Sequence, residues 1–335
     1  MRIAVDAMGG DHAPREVICG VAAGLKYLSA DDELLLYGPR ERVEAECATL
    51  GLNDARVHVR HCPSVIAMDE PPVEALRHKR DSSIAQLAAD AGSGQVQAVI
   101  SAGNTGAFAA ACQLRIKPMK GISRPGIAVV MPTFHGPVVV CDVGANVAPK
   151  ARHLLDYARM CTAYARTILG IERPEVGLVS IGEEEAKGNQ LVREAGLLLR
   201  NDPQINFVGN VEGRDVFAGT SHVFVCDGFV GNVILKLTEG LAEGLFKTIV
   251  REISEEGQHM AEQFAPVVDR IWKRHDFAEY GGAPLLGINS VVIICHGRSD
   301  RRAISNAIRV AIEQIRVNLN GVIAASLAPP NEVPV

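Results

Sequence analysis

Short runs of aliphatic and β-branched residues alternate along this chain with stretches of helical periodicity. That alternation restricts the fold more than any other feature of the sequence. The runs are Ile3–Val5, Leu34–Tyr37, Ala98–Ile100, Ile127–Met131, Val138–Val140, Val176–Ile181, Phe207–Val208, Val223–Val225 and Val291–Cys295. Each is continuously apolar and bounded by Gly, Asn or Pro, the pattern of strands buried on both faces of a mostly parallel sheet. Helical patterns at Val17–Leu28, Thr105–Arg115, Leu154–Leu169, Gln190–Leu199 and Ala303–Leu319 fall between them. Strand and helix in alternation predict a layered α/β fold. Only Pro132–Pro137 joins Ile127–Met131 to Val138–Val140, so an antiparallel hairpin is expected inside the sheet.

One region breaks the alternation. Between Leu241 and Trp272 no strand is expected. Leu241, Leu245, Phe246, Ile249, Val250 and Ile253 form one helical stripe, and Met260, Phe264, Val267, Val268, Ile271 and Trp272 form another. Gly257 separates them, which predicts an amphipathic helical hairpin over 241–274. Pro266 should break or kink its second arm. Three roles fit the pattern: helices folded onto the domain, a dimer contact, or a patch on a membrane surface with Arg270, Lys273 and Arg274 near anionic headgroups.

Composition removes several function classes. The 335 residues carry a formal net charge of −5, so there is no general electrostatic attraction to nucleic acid. No apolar run approaches the roughly 18 residues that span a bilayer, and Met1–Val5 leads directly into a strand rather than a signal region. None of the eight cysteines forms a C-x-x-C pair; several sit in apolar runs, as expected for a cytosolic protein with reduced thiols. There is no P-loop, no dinucleotide fingerprint, no nucleophile elbow and no H-E-x-x-H. His58 and His61 are three residues apart, and beside an apparent strand that spacing puts them on opposite faces. No metal site or cofactor is expected.

In an open α/β sheet, ligands bind beyond the carboxyl ends of strands. Six polar turns occupy those positions: Asp6–Asp11, Ser101–Gly106, Asp142–Asn146, Gly182–Asn189, Asp227–Asn232 and His296–Ser299. Glycine permits close backbone approach, and the next helix offers free N–H groups to an anion. Basic residues stand near these helix starts, where the helix dipole disfavours them: Lys187, Lys150 and Arg152, and Arg298, Arg301 and Arg302. Either acidic neighbours (Glu183–Glu185, Asp300) offset them, or a polyanionic ligand does. From the residues alone this is an anion-binding α/β enzyme without an obvious side-chain nucleophile.

At these loops the sequence resembles the bacterial phosphate acyltransferases of phospholipid synthesis. The resemblance is carried by Ile3–Asp11 (IAVDAMGGD), Ser101–Ala107 (SAGNTGA), Asp142–Val147 (DVGANV), Gly182–Asn189 (GEEEAKGN), Gly209–Asp215 (GNVEGRD), Cys226–Gly240 (CDGFVGNVILKLTEG) and Gly281–Gly287 (GGAPLLG), followed by His296-Gly297. It extends from Ile3 to about Ile315. Gln95–Ala98 and Ser221-His222 depart from the pattern, both at strand entrances. The resemblance implies a three-layer α/β/α homodimer with a mostly parallel mixed sheet, related to phosphotransacetylases and to isocitrate/isopropylmalate-type dehydrogenases. Residues 1–325 would form one acyltransferase unit, of two intertwined lobes at most, ahead of a flexible tail at 326–335. It also implies a cytoplasmic enzyme peripherally associated with the membrane, which converts acyl-[acyl-carrier-protein] and inorganic phosphate to acyl phosphate.

The reaction that the resemblance implies suggests roles for the loop residues. Phosphate is already a nucleophile, so the protein has to position it and stabilise the developing oxyanion. Lys187, Asn232 and His296 are the catalytic candidates, with His296 protonating the leaving thiolate. Asn104, Thr105, Gly106, Asp142, Asn146, Asn189, Asp227, Gly231 and Arg298 are candidates for binding phosphate or substrate. Asp6, Gly9, Gly10 and Asp11 would orient loops. Arg77, Lys79 and Arg80 would receive an acidic carrier protein, and Leu245, Phe246, Phe264 and Trp272 would make the dimer or membrane contact. An acyl-CoA:phosphate acyltransferase or a decarboxylating hydroxy-acid dehydrogenase of the same superfold, and a non-catalytic membrane-surface scaffold, remain as alternatives.

Overall fold

The computed structural model describes residues 1–275 and 277–327, and the side chains among them outside 272–278. Eleven strands are seen among them: β1 (Arg2–Asp6), β2 (Glu33–Gly38), β3 (Val57–His61), β4 (Ala98–Ser101), β5 (Gly126–Thr133), β6 (Gly136–Cys141), β7 (Glu175–Val179), β8 (Asn206–Val211), β9 (Val223–Val225), β10 (Ala283–Leu286) and β11 (Val291–Ile294). The helices are α1 (Arg15–Gly24), α2 (Arg40–Thr49), α3 (Pro72–His78), α4 (Ser83–Gly92), α5 (Thr105–Arg115), α6 (Ala151–Ile168), α7 (Gln190–Arg200), α8 (Gly228–Glu255), α9 (Gln258–His275), α10 (Arg301–Arg316) and α11 (Leu319–Leu327).

Successive residues of one strand enter different cores, which is why the apolar runs are continuous. Ile3 and Val5 pack with Ile18 of α1 and Ile304 of α10, while Ala4 between them joins Leu87 of α4 and Phe108 of α5. Val139 and Cys141 face Tyr157 and Cys161 of α6; Val138 and Val140 lie on the other side with Phe224. Helices therefore cover both faces of one mixed sheet, giving the three layers.

All strands share one sheet, in the order β3-β2-β1-β4-β11-β10-β5-β6-β9-β7-β8. From β3 to β11 every pairing is parallel, and so is every pairing from β6 to β8. Between the two groups β10 is antiparallel to both β11 and β5, and β5 is antiparallel to β6. The two parallel halves therefore point in opposite directions. Their register keeps their carboxyl ends together. Ala283 pairs with Ile294, the last residue of β11; the same level continues across β5 to Val140, one residue before the end of β6.

Several elements differ from the sequence reading. β10 is not among the expected strands, because its Ala-Pro start gives no apolar run, whereas β3 is the strand expected beside His58 and His61. β7 stops at Val179, leaving Ile181 81% exposed. The expected helix Ala303–Leu319 is divided by Asn318, whose φ of +47° ends α10 before α11 begins. α9 runs unbroken through Pro266. α11 extends to Leu327, into the stretch expected as a tail, and the remainder of that tail lies outside the described residues. The two departures from the family pattern serve as strand-entrance ties: Gln97 Oε1 accepts from the Arg2 N–H at 2.7 Å, and His222 Nδ1 accepts from the Glu175 N–H at 3.2 Å.

α1 lies against α10 through Gly20, where an added Cβ would stand 2.5 Å from Ile304 Cβ and 2.9 Å from the Arg301 carbonyl oxygen. Gly20→Ala should cost about 1–3 kcal/mol through overpacking, read as a lowered denaturation midpoint in urea with an unchanged slope.

Candidate active site

The loops after β1, β4 and β11 are tied to one another by buried groups. The Asp6 carboxylate accepts from Ser101 Oγ at 2.7 Å and from the Met8 N–H at 3.2 Å, and Ser101 Oγ accepts in turn from the Gly103 N–H. Burial raises the Asp6 pKa above the usual carboxylate value, against these hydrogen bonds. Gly9 allows the closeness, since a Cβ there would lie 2.6 Å from the Gly103 nitrogen. Gly10 sits at φ +106°, and the Asp11 N–H donates to the Gly297 carbonyl at 2.8 Å. Asp6, Gly9, Gly10 and Asp11 thus shape the loops.

Asn104 caps α5 through Oδ1, which accepts from the Ala107 N–H at 3.0 Å. Its amide nitrogen donates to the carbonyls of Ala67, Met68 and Glu70, so it straps the 67–70 segment over the loop. Lys79 holds the same segment through the Val65 carbonyl and Glu70, while Arg77 and Arg80 remain exposed. Gly106 lies under Pro72.

On the other half of the sheet, Asp142 is fully buried. It accepts from the N–H groups of Ile127, Gly144, Ala145 and Asn146, at 2.7–3.1 Å. Burial raises its pKa, opposed by those donors. Asn146 is spent as well: its amide nitrogen reaches the Pro125 carbonyl, Asp142 and the Tyr157 hydroxyl, and its oxygen accepts from Arg124. Asp227 caps α8 through the Phe229 and Val230 N–H groups. A Cβ on Gly231 would collide with the Asp142 carbonyl, so only glycine lets α8 begin against the β6 loop.

These ties leave a cavity of about 700 Å³ where the two sets of carboxyl ends meet. Thr105 comes from the β4 loop, Gly144 from the β6 loop, Gly228 and Asn232 from the start of α8, and His296, Arg298 and Ser299 from the β11 loop. Lys236, one turn beyond Asn232, joins them and pairs with Glu239 at 2.8 Å. Three helix N-termini (α5, α8 and α10) border the space and make it favourable for an anion. Apolar side chains, among them Val129, Leu235 and Ile294, line the rest.

His296 has a defined orientation. Its Nδ1 accepts from the Arg298 N–H at 3.1 Å, so the neutral ring carries its hydrogen on Nε2. Burial, then the positive charge of Lys236, hold its pKa below the ordinary histidine value. Of the basic residues near helix starts, Arg152 pairs with Asp156, Arg301 with Glu16 and Arg302 with Glu279. Arg298 forms no ion pair among the described residues.

Of the residues singled out from sequence, Thr105, Asn232, His296 and Arg298 meet in this cavity. Lys187 and Asn189 are not among its lining. They sit on the β7 loop, one strand beyond β9, where Asn189 caps α7 and the Lys187 stem crosses Gly182. Lys236, Ser299 and Gly144 were missed as candidates. Lys236 lies inside the quoted Cys226–Gly240 segment, and its spacing of four from Asn232 on a helix was the available signal. Leu245 and Phe264 are exposed on α8 and α9, Phe246 faces the space between those helices, and the Trp272 side chain lies outside those described. No group of three or more His, Cys, Asp or Glu among the described residues could hold a metal ion.

The chain matches the Fatty acid synthesis protein family over residues 1–321. It is 48% identical over 316 residues to the phosphate acyltransferase of Desulfitobacterium hafniense, with 93% of each chain covered. It is 43% identical over 340 residues to the phosphate acyltransferase of Nitratidesulfovibrio vulgaris, covering 99% of this chain and 96% of that one. A phosphotransacetylase from Streptococcus pyogenes superposes with a TM-score of 0.62 at 18% identity, over 94% of both chains; that likeness concerns the fold.

Asp142→Ala would strip the acceptor from four backbone donors, those of Ile127 and Asn146 buried. It should destabilise the protein by about 3–5 kcal/mol, measured by chemical denaturation, whereas His296→Ala at the exposed rim should change stability by less than about 1 kcal/mol.

Proposed function

The chain belongs to the fatty acid synthesis protein family, and from that premise we propose that it transfers the acyl group of an acyl-carrier-protein thioester to inorganic phosphate. The products are an acyl phosphate and the free carrier thiol. The observation that carries this reading is the convergence of three helix N-termini, Lys236 and Arg298 on one cavity with apolar walls: an anion site beside room for a fatty chain.

In this mechanism a phosphate oxygen attacks the thioester carbonyl carbon. The new carbon–oxygen bond forms, the carbonyl oxygen takes up the negative charge, and collapse of the adduct breaks the carbon–sulfur bond. Lys236, Arg298 and the α5 N-terminus at Thr105 hold the phosphate. The Asn232 amide supplies a donor for the developing oxyanion, and a donor already in place needs no reorganisation as the charge develops. The neutral His296 ring presents Nε2–H to the departing sulfur, which takes its proton through that donor or from the phosphate itself. Lys187 belongs to this proposal as a second-loop cation that reaches the phosphate only if the β7 loop moves inward.

Docking and assembly extend the same reading. Arg77 and Arg80 at the end of α3, whose first residue Pro72 abuts Gly106 beside the cavity, would receive an acidic carrier. Leu241, Leu245 and Ile249 leave an apolar row on α8, between 46% and 59% exposed, which suits a second copy of the chain or a membrane surface. No described helix is long and apolar enough to cross a membrane. Residues 1–325 are read as one acyltransferase unit in the cytoplasm.

Purified protein should consume acyl carrier only when phosphate is present; phosphate-independent turnover, or none, would remove the assignment. Lys236→Ala and Arg298→Ala should each raise KM for phosphate about tenfold or more, the loss of a charged hydrogen bond, and Lys187→Ala should raise it less. His296→Ala should lower kcat about a hundredfold. It should also erase an acid limb in kcat that wild type shows below the ordinary histidine pKa, since protonation at Nδ1 abolishes the acceptor that orients the ring.

A further inference from the structure

Among the described residues two carboxylates border the polar cavity, Asp300 and Glu239. Asp300 is committed to the fold, since it caps α10 by accepting from the Ala303 N–H at 2.9 Å. Glu239 caps nothing. Its one partner among the described residues is Lys236, three residues back on α8, whose Nζ stands 2.8 Å from Oε2, and the Glu239 side chain stays 33% exposed. An exposed pair of this kind adds little to stability, so the fold does not demand a carboxylate here. An ammonium has three N–H donors. One is directed at Glu239, and an anion held by Lys236 takes another, so the anion and the carboxylate share one nitrogen. Hydrogen bonds of ordinary length on both sides of that nitrogen bring a ligand oxygen within about 5 Å of Glu239. A second oxygen of a tetrahedral ligand then reaches the carboxylate itself.

We infer that Glu239 selects the ligand of this cavity by its proton: an oxyanion that keeps an O–H hydrogen-bonds to the carboxylate, and one without is turned away. The inference rests on the acyl-transfer reading above and deepens it by stating which tetrahedral oxyanions the phosphate site takes. An ionised carboxylate only accepts hydrogen bonds. Inorganic phosphate retains at least one proton at neutral pH and donates it to Glu239; arsenate matches it in shape and in that proton. Sulfate has the shape and charge of the phosphate dianion but no proton, so its oxygens meet the carboxylate as acceptor against acceptor. The helix N-termini, Lys236 and Arg298 respond to charge and attract both anions. Discrimination therefore comes from a repulsive element placed among attractive ones. The same contact turns the protonated oxygen toward α8, and the unprotonated oxygens are left to attack.

Calorimetric titration of the full chain with sodium phosphate, arsenate and sulfate reads the selection without any acyl donor. Wild type should bind arsenate like phosphate, and sulfate at least about a hundredfold more weakly. Glu239→Gln keeps an oxygen acceptor for Lys236 and adds an amide donor; it should tighten sulfate about tenfold or more and weaken phosphate. Glu243→Gln makes the same change of charge one turn further along α8, outside the lining of the polar cavity, and should leave the ratio of the two affinities at its wild-type value. The inference is overturned if wild type binds sulfate as well as phosphate or takes up neither, if Glu239→Gln changes both anions by the same factor, or if Glu243→Gln reproduces its effect. The two readings fail separately. Selective phosphate binding by a wild type that consumes no acyl carrier removes the transfer and leaves the selection; phosphate-dependent transfer with a sulfate affinity unmoved by Glu239→Gln removes the selection and leaves the transfer.

Discussion

The register of β10 governs the site. A sheet whose two parallel halves run in opposite directions would ordinarily place their carboxyl ends on opposite edges, with no shared space between the loops. Here four residues pair with β11 on one side and β5 on the other so that the last residue of β11 and the last turn of β6 fall at one level. The β4 and β11 loops then face the β6 and β9 loops across the middle of the sheet. Shifting that ladder by two residues would separate them by about 7 Å, more than a phosphate can bridge.

Most polar groups in these loops act on one another rather than on a ligand. Asp6, Asn104, Asp142, Asn146 and Asp227 are engaged by backbone or neighbouring donors and acceptors, and burial enforces that engagement because an unpaired polar atom there is costly. Other polar residues line the cavity itself: Thr105, Asn232, Lys236 with its partner Glu239, His296, Arg298 and Ser299. The loops are rigid because their polar residues are spent, and the cavity is preorganised for the same reason.

α8 joins two kinds of surface in one element. Its first turn is packed so tightly that Gly228 and Gly231 are the only buried residues it has; its remaining turns project away from the sheet and meet α9. Glu239 of α8, with His296 and Arg298 of the β11 loop, borders both the polar cavity and the groove between α8 and α9.

The sequence by itself determined the layered α/β architecture, most strands, the hairpin at β5 and β6, and the loops that carry the chemistry. Those features depend on local periodicity and on Gly, Asn and Asp at turns, which neighbouring residues decide. It did not disclose that the sheet reverses direction, because β10 is four residues including a proline and its partners are distant in the chain. Nor did it separate Asn232, which lines the cavity, from Asn104 and Asn146, whose amides are consumed; all three follow strands and read alike. Lys187 and Lys236 likewise differ in where the sheet order carries the β7 loop and the start of α8. Tertiary structure alone decided these matters, since long-range strand register sets which side chains share a space and which find partners first.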